Sequence, residues 1–158
     1  MSLIVDKFFY RALKSDDAIM TMTGGRIFNT ARTTEDEKRD HIPYVIIMHR
    51  GMANNGESKD NWEGLTDTEN VEILAVADNR EALAALTTRI RAVVCGTLED
   101  MDDDDMEEWA APQDYAVSAG DVFYDTMKPC FYQSLRYECS TINNSIETWE
   151  SSKAKTSD

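Results

Sequence analysis

Residues 70–96 constrain the fold most strongly, because the residue pattern changes there from that of a strand to that of a helix. The run Asn70–Ala77 is rich in residues that favour β-strands and is apolar on both faces. The next apolar residues recur every three or four positions, the spacing of an amphipathic helix: Leu83, Leu86, Ile90 and Val93. We predict that Asp78 caps this helix and that Gly96 closes it in a left-handed conformation. A buried strand leading directly into a helix predicts an α+β domain.

The length and charge of the chain limit the classes of function. A chain of 158 residues is long enough for one domain with a hydrophobic core. Its 30 acidic and 16 basic residues give a formal net charge of −14, which argues against attraction to DNA phosphates or anionic lipid. We predict a single domain over residues 1–142, followed by a flexible polar tail over residues 143–158.

The cysteines and the N-terminus favour a reduced, cytosolic setting. Cys95, Cys130 and Cys139 are odd in number and widely spaced, which argues against a disulfide framework and a thiolate metal site. The first seven residues carry charges where a signal peptide needs an apolar core, and no apolar run approaches the roughly 20 residues of a membrane span. We therefore expect no membrane association.

The remaining elements follow from apolar spacing and turn residues. We predict helices over residues 3–14 and from residue 16 to the break at 23–25, and an exposed loop over 33–40. Predicted strands cover residues 26–29, 42–49, 70–77 and 130–142, with a possible short strand at 115–117. The expected architecture is a small antiparallel or mixed sheet of about four strands, with two main helices packed on one face.

A polar insertion over residues 49–68 is the first candidate interaction surface. Asn55 and Gly56 form a type I′ turn signal, so we predict a long projecting hairpin or loop. Asn54, Asn55 and Trp62 are its candidate interface residues. Trp149 is a fourth, because it too stands alone among polar residues and Trp is enriched at protein contacts. Most of the Tyr and Phe residues, by contrast, are expected in the core.

Residues 97–108 contain eight acids and no base, which predicts a solvated acidic loop. A calcium-binding EF-hand loop needs glycine at its sixth position, and a loop that starts at Asp100 has Asp105 there. We therefore predict no metal site and take Asp102, Asp103, Asp104 and Asp105 as a candidate acidic surface.

No motif predicts catalysis. His41 and His49 are the only histidines, and neither lies near a recognisable nucleophile motif, so structural or incidental roles are expected. The run Thr23–Arg26 lacks the lysine and the spacing of a phosphate-binding loop. The sequence thus predicts a protein that is not an enzyme and needs no cofactor.

The order of these features resembles that of a known family. An N-terminal helix is followed by Ser15-Asp16-Asp17-Ala18-Ile19, Gly25-Arg26-Ile27-Phe28, Ile42-Pro43-Tyr44-Val45-Ile46-Ile47, the strand and helix over 71–94, and a closing strand. This order resembles the small tail-completion proteins of long-tailed phages and prophages, which are tail terminators and head-to-tail joining proteins. The resemblance covers residues 3–142, and residues 97–129 depart from it because a shorter link to a strand is expected there.

The resemblance implies a structural virion protein. Its copies would associate into a ring, commonly of six, at the end of the tail tube, with the major tail tube protein and the head connector protein as partners. DNA would pass through the ring without being bound specifically, and Asp102–Asp105 would belong to an acidic lumen that repels phosphates. The expected location is the tail or neck of the virion, and the bacterial cytoplasm during assembly.

Two alternatives remain open. An acidic inhibitor that mimics DNA would present carboxylates in place of phosphates, spread over helices, whereas many acids here cluster in one presumed mobile loop. A metal-dependent phage enzyme would use Asp100–Asp105. The clustering favours the structural role over the DNA mimic.

Overall fold

The structure is a computed structural model that describes residues 5–29, 41–55, 66–142 and 151–153. The helices are α1 (Val5–Lys14), α2 (Asp17–Thr23), α3 (Arg80–Glu99) and α4 (Asp103–Glu108). The strands are β1 (Ile27–Asn29), β2 (Tyr44–Asn54), β3 (Thr66–Ala77), β4 (Asp114–Ala119), β5 (Phe123–Asp125) and β6 (Cys130–Ile142). The predicted α+β class is confirmed, but the sheet has six strands where about four were expected.

The sheet is mixed, in the order β1-β2-β3-β6-β4, and β5 also pairs with β6. Strand β1 runs parallel to β2, and every other pair is antiparallel. The central pair β3–β6 is in register from Thr66 opposite Ile142 to Ala77 opposite Phe131. Strands β4 and β5 lie end to end along the outer side of β6, so the two edges of the sheet are unlike.

The main core lies between one face of the sheet and helices α1 and α3. Alternate residues of β3, namely Val71, Ile73 and Ala75, point into this core, as the period of two in a strand requires. The predicted apolar stripe of α1 is confirmed by its buried residues, which are Val5, Phe8, Phe9, Ala12 and Leu13. In α3, Val94 is fully buried and Val93 only partly. Within the described residues, no helix is long and apolar enough to cross a membrane.

Both predicted ends of α3 need correction. The N-cap is Asn79 rather than Asp78, and its side chain accepts a hydrogen bond of 2.8 Å from the backbone N–H of Ala82. Asp and Asn cap helices about equally well, so the sequence does not distinguish the two positions. Gly96 lies inside the helix, which continues to Glu99 because Leu98 still packs against the core.

The hairpin between β2 and β3 is confirmed in its paired stem. The register shifts between His49 and Met52, and the strands then pair as far as Asn54 opposite Asp67. The backbone N–H of Asn55 donates to the carbonyl of Thr66 at 3.0 Å. Asn55, the first residue of the predicted turn signal, is therefore still paired with the opposite strand. The rest of the connection, the predicted loop at 33–40 and most of the predicted tail lie outside the described residues.

Candidate functional site

The acidic segment is more ordered than predicted, because residues 103–108 form helix α4. Asp102 is its N-cap, and one carboxylate oxygen accepts a 2.8 Å hydrogen bond from the backbone N–H of Asp105. The Asp105 carboxylate accepts in return from the backbone N–H of Asp102, at 3.4 Å. This reciprocal capping satisfies free N–H groups at the helix start and favours negative charge there. The predicted solvated loop is thus partly a capped helix.

Helix α4 is fixed against α1 through Trp109, which follows its last residue. The guanidinium of Arg11 lies 4.0 Å from the centre of the Trp109 ring, and Arg11 also lies 3.6 Å from the Glu108 carboxylate. Exposed carboxylates cover the outside of this unit: Asp102, Asp103, Asp104, Glu107 and Glu108. We call these five residues the acidic face.

The acidic face does not assemble a metal centre. Across the described ranges, no three His, Cys, Asp or Glu side chains are grouped so that they could hold a metal ion. Two carboxylates of the segment, those of Asp102 and Asp105, are used in capping α4. The arrangement therefore offers a fixed negative surface.

Of the four predicted interface residues, the structure describes two, Asn54 and Asn55. Asn54 braces the hairpin, because its side-chain amide donates to the Thr66 carbonyl at 3.3 Å and to the Asp67 carboxylate at 3.1 Å. Asn55 is exposed, and its side-chain oxygen accepts a 2.7 Å hydrogen bond from the Thr68 hydroxyl. Trp62 and Trp149 lie outside the described residues. Of the four, Asn55 alone is shown as an exposed surface residue.

The base of the hairpin holds a buried polar cluster that sequence reasoning missed. Glu69 is fully buried; one carboxylate oxygen lies 3.0 Å from Nε2 of His49, and the other accepts from the Thr141 hydroxyl at 2.5 Å. Nδ1 of His49 accepts from the backbone N–H of Gly51 at 3.3 Å, so Nε2 of a neutral ring donates to Glu69. His49 of β2 is thus hydrogen-bonded in a cluster with residues of β3 and β6.

Alternation along β3 could have identified this cluster. Asp67 and Glu69 share the face of Val71 and Ile73, so a period of two places both carboxylates toward the interior. One Asp67 oxygen accepts from Asn54, whereas Oδ2 is buried without a hydrogen-bond partner in the described part of the chain. The partners on β2 and β6 are distant in sequence and required the structure.

The outer edge formed by β5 and the turns beside it exposes large apolar side chains. The exposed fractions are 39% for Val122, 52% for Phe123, 52% for Tyr124 and 89% for Met127. The Phe123 ring stacks on Tyr132 with centroids 5.4 Å apart, and the Tyr124 ring lies 4.9 Å from Phe131. We call Val122, Phe123, Tyr124 and Met127 the aromatic edge. Phe123 and Tyr124 are thus exceptions to the expectation that most of the Tyr and Phe residues lie in the core.

This edge has the properties of a protein contact surface. Its aromatic rings are held in place by neighbours on β6, so little conformational freedom is lost when a partner covers them. Aromatic and Met side chains are enriched at the centres of protein interfaces. A clustered apolar surface on an otherwise strongly charged chain marks a place where another molecule can bind.

Comparisons with known proteins give a structural relationship only. No protein-family model matches the chain, and no curated protein matches it either. Among solved structures, the chain is similar to one chain of the structure titled "Virion of native gene transfer agent (GTA) particle", with a TM-score of 0.56 and 10% sequence identity. The alignment covers 90% of this chain and 100% of that chain. The two chains therefore share a fold over almost their whole lengths.

Proposed function

We propose that this chain is a structural protein of a phage or phage-like virion. The observation that carries the proposal is the shared fold with a chain of a gene transfer agent virion, over 90% of one chain and 100% of the other. The sequence resemblance to phage tail-completion proteins, which rests on the order of elements, points in the same direction. Such a role needs no catalytic residues.

Within that class, we propose a tail terminator or head-to-tail joining protein that forms a ring at the end of the tail tube. A closed ring with one subunit type needs two different contact surfaces on each copy. The sheet supplies unlike edges, because β1 is three residues long and parallel to β2, whereas β5 and the turns beside it carry the aromatic edge. The major tail tube protein and the head connector protein are the proposed partners at the virion neck.

In such a ring, the acidic face would have the role of repelling DNA. DNA that moves through a channel must not adhere to its wall, and carboxylates repel phosphates at close range. Capping and the contact with α1 hold these carboxylates in fixed positions. We propose that the acidic face lines the channel. A ring with Asp102–Asp105 on its outer rim would contradict this placement.

The assembly state tests the proposal. Light scattering on a sizing column, at several protein concentrations, measures the mass of the chain alone and with the neighbouring tail tube protein. We expect a ring of several subunits, either alone or on the tube. A mixture of the tube with an unrelated acidic protein is the control. A chain that stays monomeric at all concentrations and ignores the tube would contradict the ring.

A DNA mimic is the second candidate. The sequence predicted a loop at the acidic segment, and the helix α4 found there supports a mimic better than a loop does. The acids of residues 102–108 are fixed on a helix, whereas a mobile loop was the argument against mimicry. A mimic would remain monomeric, bind a DNA-processing enzyme and compete with DNA for it. Replacing Asp103 and Asp104 by Asn would weaken that competition.

A further inference from the structure

Strand β4 forms an open edge of the sheet, next to the aromatic edge. Among the described strands it pairs only with β6. The backbone N–H of Gly120 donates to the Ser134 carbonyl at 2.9 Å, and hydrogen-bonded pairs alternate along an antiparallel ladder. The N–H and C=O groups of Val117 and Ala119 therefore point away from β6, to a side that no described strand covers.

This edge carries little of the protection that usually keeps an edge strand from pairing with another chain. Proline and lysine commonly give that protection, and the six residues of β4 include neither. Asp114 covers the first position only, because its carboxylate accepts a 2.8 Å hydrogen bond from the backbone N–H of Tyr115. The outward-pointing backbone groups of Val117 and Ala119 are thus placed to receive another strand.

A groove of about 300 Å³ runs beside this edge, between β4 and helix α3. Tyr115 and Val117 line it from β4. Its α3 wall consists of residues with exposed side chains: Thr88, Arg91, Ala92 and Cys95. Residues directly opposite each other on paired strands have side chains on the same face, and successive residues of a strand alternate between faces. A strand added along β4 would therefore place every second side chain in this groove.

The groove favours a neutral side chain. Arg91 brings a positive charge to its lining, and the carboxylate of Glu99 lies 3.7 Å from the Cys95 thiol at the same wall. Charges of both signs at one wall favour neither an anion nor a cation, whereas Ala92 and Val117 offer apolar contact. An apolar side chain such as valine fits these surroundings.

The other face of this margin favours a basic side chain. Asp114 of β4 and Glu138 of β6 have exposed carboxylates there. Arg136 lies on the same face, but its guanidinium is 3.8 Å from the Glu72 carboxylate. Opposite charges on neighbouring strands stabilise a sheet, so a strand beside these carboxylates gains from lysine or arginine.

We propose that β4 is a docking edge for an extended segment of another protein, which adds to the sheet as a further strand. The segment is apolar on the face toward the groove and basic on the other face. In this mode of recognition, main-chain hydrogen bonds supply affinity and alternate side chains supply specificity. A second copy is disfavoured, because two β4 strands paired about Val117 would bring Asp114 of one close to Asp121 of the other. The docking does not require a ring, so its failure would leave the proposed function standing.

The probe for this edge is the peptide acetyl-Lys-Val-Lys-Val-Lys-Val-Lys-amide, whose residues alternate as proposed. Calorimetric titration in about 0.15 M salt measures its affinity, and hydrogen exchange followed by NMR measures protection of the Val117 and Ala119 amides. At a concentration about five times the dissociation constant, exchange of these two amides should slow about sixfold. A peptide of the same composition with its three valines consecutive is the control and should not protect them.

N-methylated peptides test whether the peptide backbone makes the contact. In antiparallel addition the valine N–H groups point to β4, so N-methylation of the valines should weaken binding about tenfold or more. N-methylation of the lysines should then leave the affinity unchanged. In parallel addition the two results are exchanged. Equal affinity of the two N-methylated peptides would show that no strand pairs with β4 and would overturn the proposal.

Variants test the protein side of the contact. Ala119→Pro removes one outward N–H and no hydrogen bond to β6, so the fold is retained while the affinity falls about fivefold. Ala92→Leu fills part of the groove and should weaken binding about tenfold. Ala84→Leu makes the same change at an exposed position of α3 outside the groove and should leave binding unchanged. Thermal unfolding confirms that each variant is folded.

Three results would overturn the proposal. The first is no binding of the alternating peptide at about 1 mM, and the second is full affinity in a folded Ala92→Leu variant. The third is protection of the Val117 and Ala119 amides that grows with the concentration of the chain alone, because a second copy would then occupy the edge.

Discussion

Asp16 performs two tasks with one carboxylate. It is the N-cap of α2, accepting from the backbone N–H of Ile19 at 3.0 Å, and it accepts from Nε and Nη2 of Arg89 at 3.0 and 2.6 Å. We expect Asp16→Ala to lower the free energy of unfolding by about 1 to 2 kcal/mol, mostly through the lost cap. Urea unfolding at pH 7 measures this. An unchanged midpoint would mean that the cap and the ion pair contribute nothing.

The same residue predicts a pH dependence. Hydrogen bonding from Arg89 is the main reason that the pKa of Asp16 lies below its usual range. Its stabilisation is therefore present above the ordinary aspartate pKa of about 3.9 and is lost as the pH falls through the lower folded-state pKa. Asp16→Asn keeps a capping side chain that does not titrate. At pH 5 the original chain should have the larger free energy of unfolding, and its advantage over Asp16→Asn should shrink as the pH falls to about 2.

Thr141 tests the buried cluster beneath the hairpin. Its hydroxyl is the partner of one oxygen of the fully buried Glu69. Thr141→Val keeps the shape but leaves that oxygen without its donor, which should lower the free energy of unfolding by about 1 to 3 kcal/mol. Thr141→Ser keeps the hydroxyl and should cost about 1 kcal/mol or less, for the lost methyl group. If urea unfolding gives the same loss of unfolding free energy for Thr141→Val and Thr141→Ser, the hydrogen bond to Glu69 is not the cause of that loss.

At the scale of single residues, the sequence indicates which face of the sheet a side chain lies on, but not which side chains it contacts. Alternation with Val71 and Ile73 places Asp67 and Glu69 on the buried face, so their burial was predictable. Their partners Asn54, His49 and Thr141 come from other strands. No local pattern brings these side chains together, because pairing between strands depends on the register of the whole sheet.

At the scale of the elements, we expect the formation of α4 to depend on the side chain that caps it. It has six residues, and an isolated helix of that length is unstable in water. Asp102→Ala removes the cap, worth about 1 kcal/mol, and should speed hydrogen exchange of the Asp105 and Met106 amides about fivefold. Exchange followed by NMR measures each amide separately.

Two variants separate capping from charge at this helix. Asp103→Ala removes an exposed acid that does not cap and should leave those amides protected. Asp102→Asn removes the charge but keeps an oxygen acceptor, so exchange should stay near that of the original chain. If Asp102→Ala exchanges no faster, the contact of Trp109 with Arg11 is sufficient to hold α4.

The helices and strands that the sequence predicted correctly are those with a strong local residue pattern. Strand β6 was predicted over residues 130–142 and observed there, because its buried and exposed residues alternate over a long run. Strand β5 was missed because it has three residues and none of them is fully buried, so neither burial nor alternation marks it. Helix α4 was missed because acidic residues alone give no apolar period, although Asp at the N-cap and N3 positions was a usable capping signal.

On the scale of the whole molecule, the sequence predicted the α+β class and the helices on one face, because both follow from residue periods. Strand order and the contrast between the two edges could not be predicted, since they arise from pairings between distant segments. The aromatic edge arises from these pairings between distant segments. Strand β5 pairs with β6 next to the end of β4, which leaves Phe123 and Tyr124 at the margin of the sheet. A ring would use this margin as one of its two contact surfaces.

The aromatic edge therefore predicts the outcome of one assembly experiment. In the proposed ring, Phe123 and Tyr124 are covered by a neighbouring copy, so replacing both by Ser should raise the concentration needed for assembly about tenfold or more. Ile142→Ser is the matched control, because Ile142 is an apolar residue with 49% exposure at the other end of β6. Light scattering measures assembly, and thermal unfolding confirms that each variant is folded. A folded double variant that assembles like the original chain would show that neighbours dock on another surface.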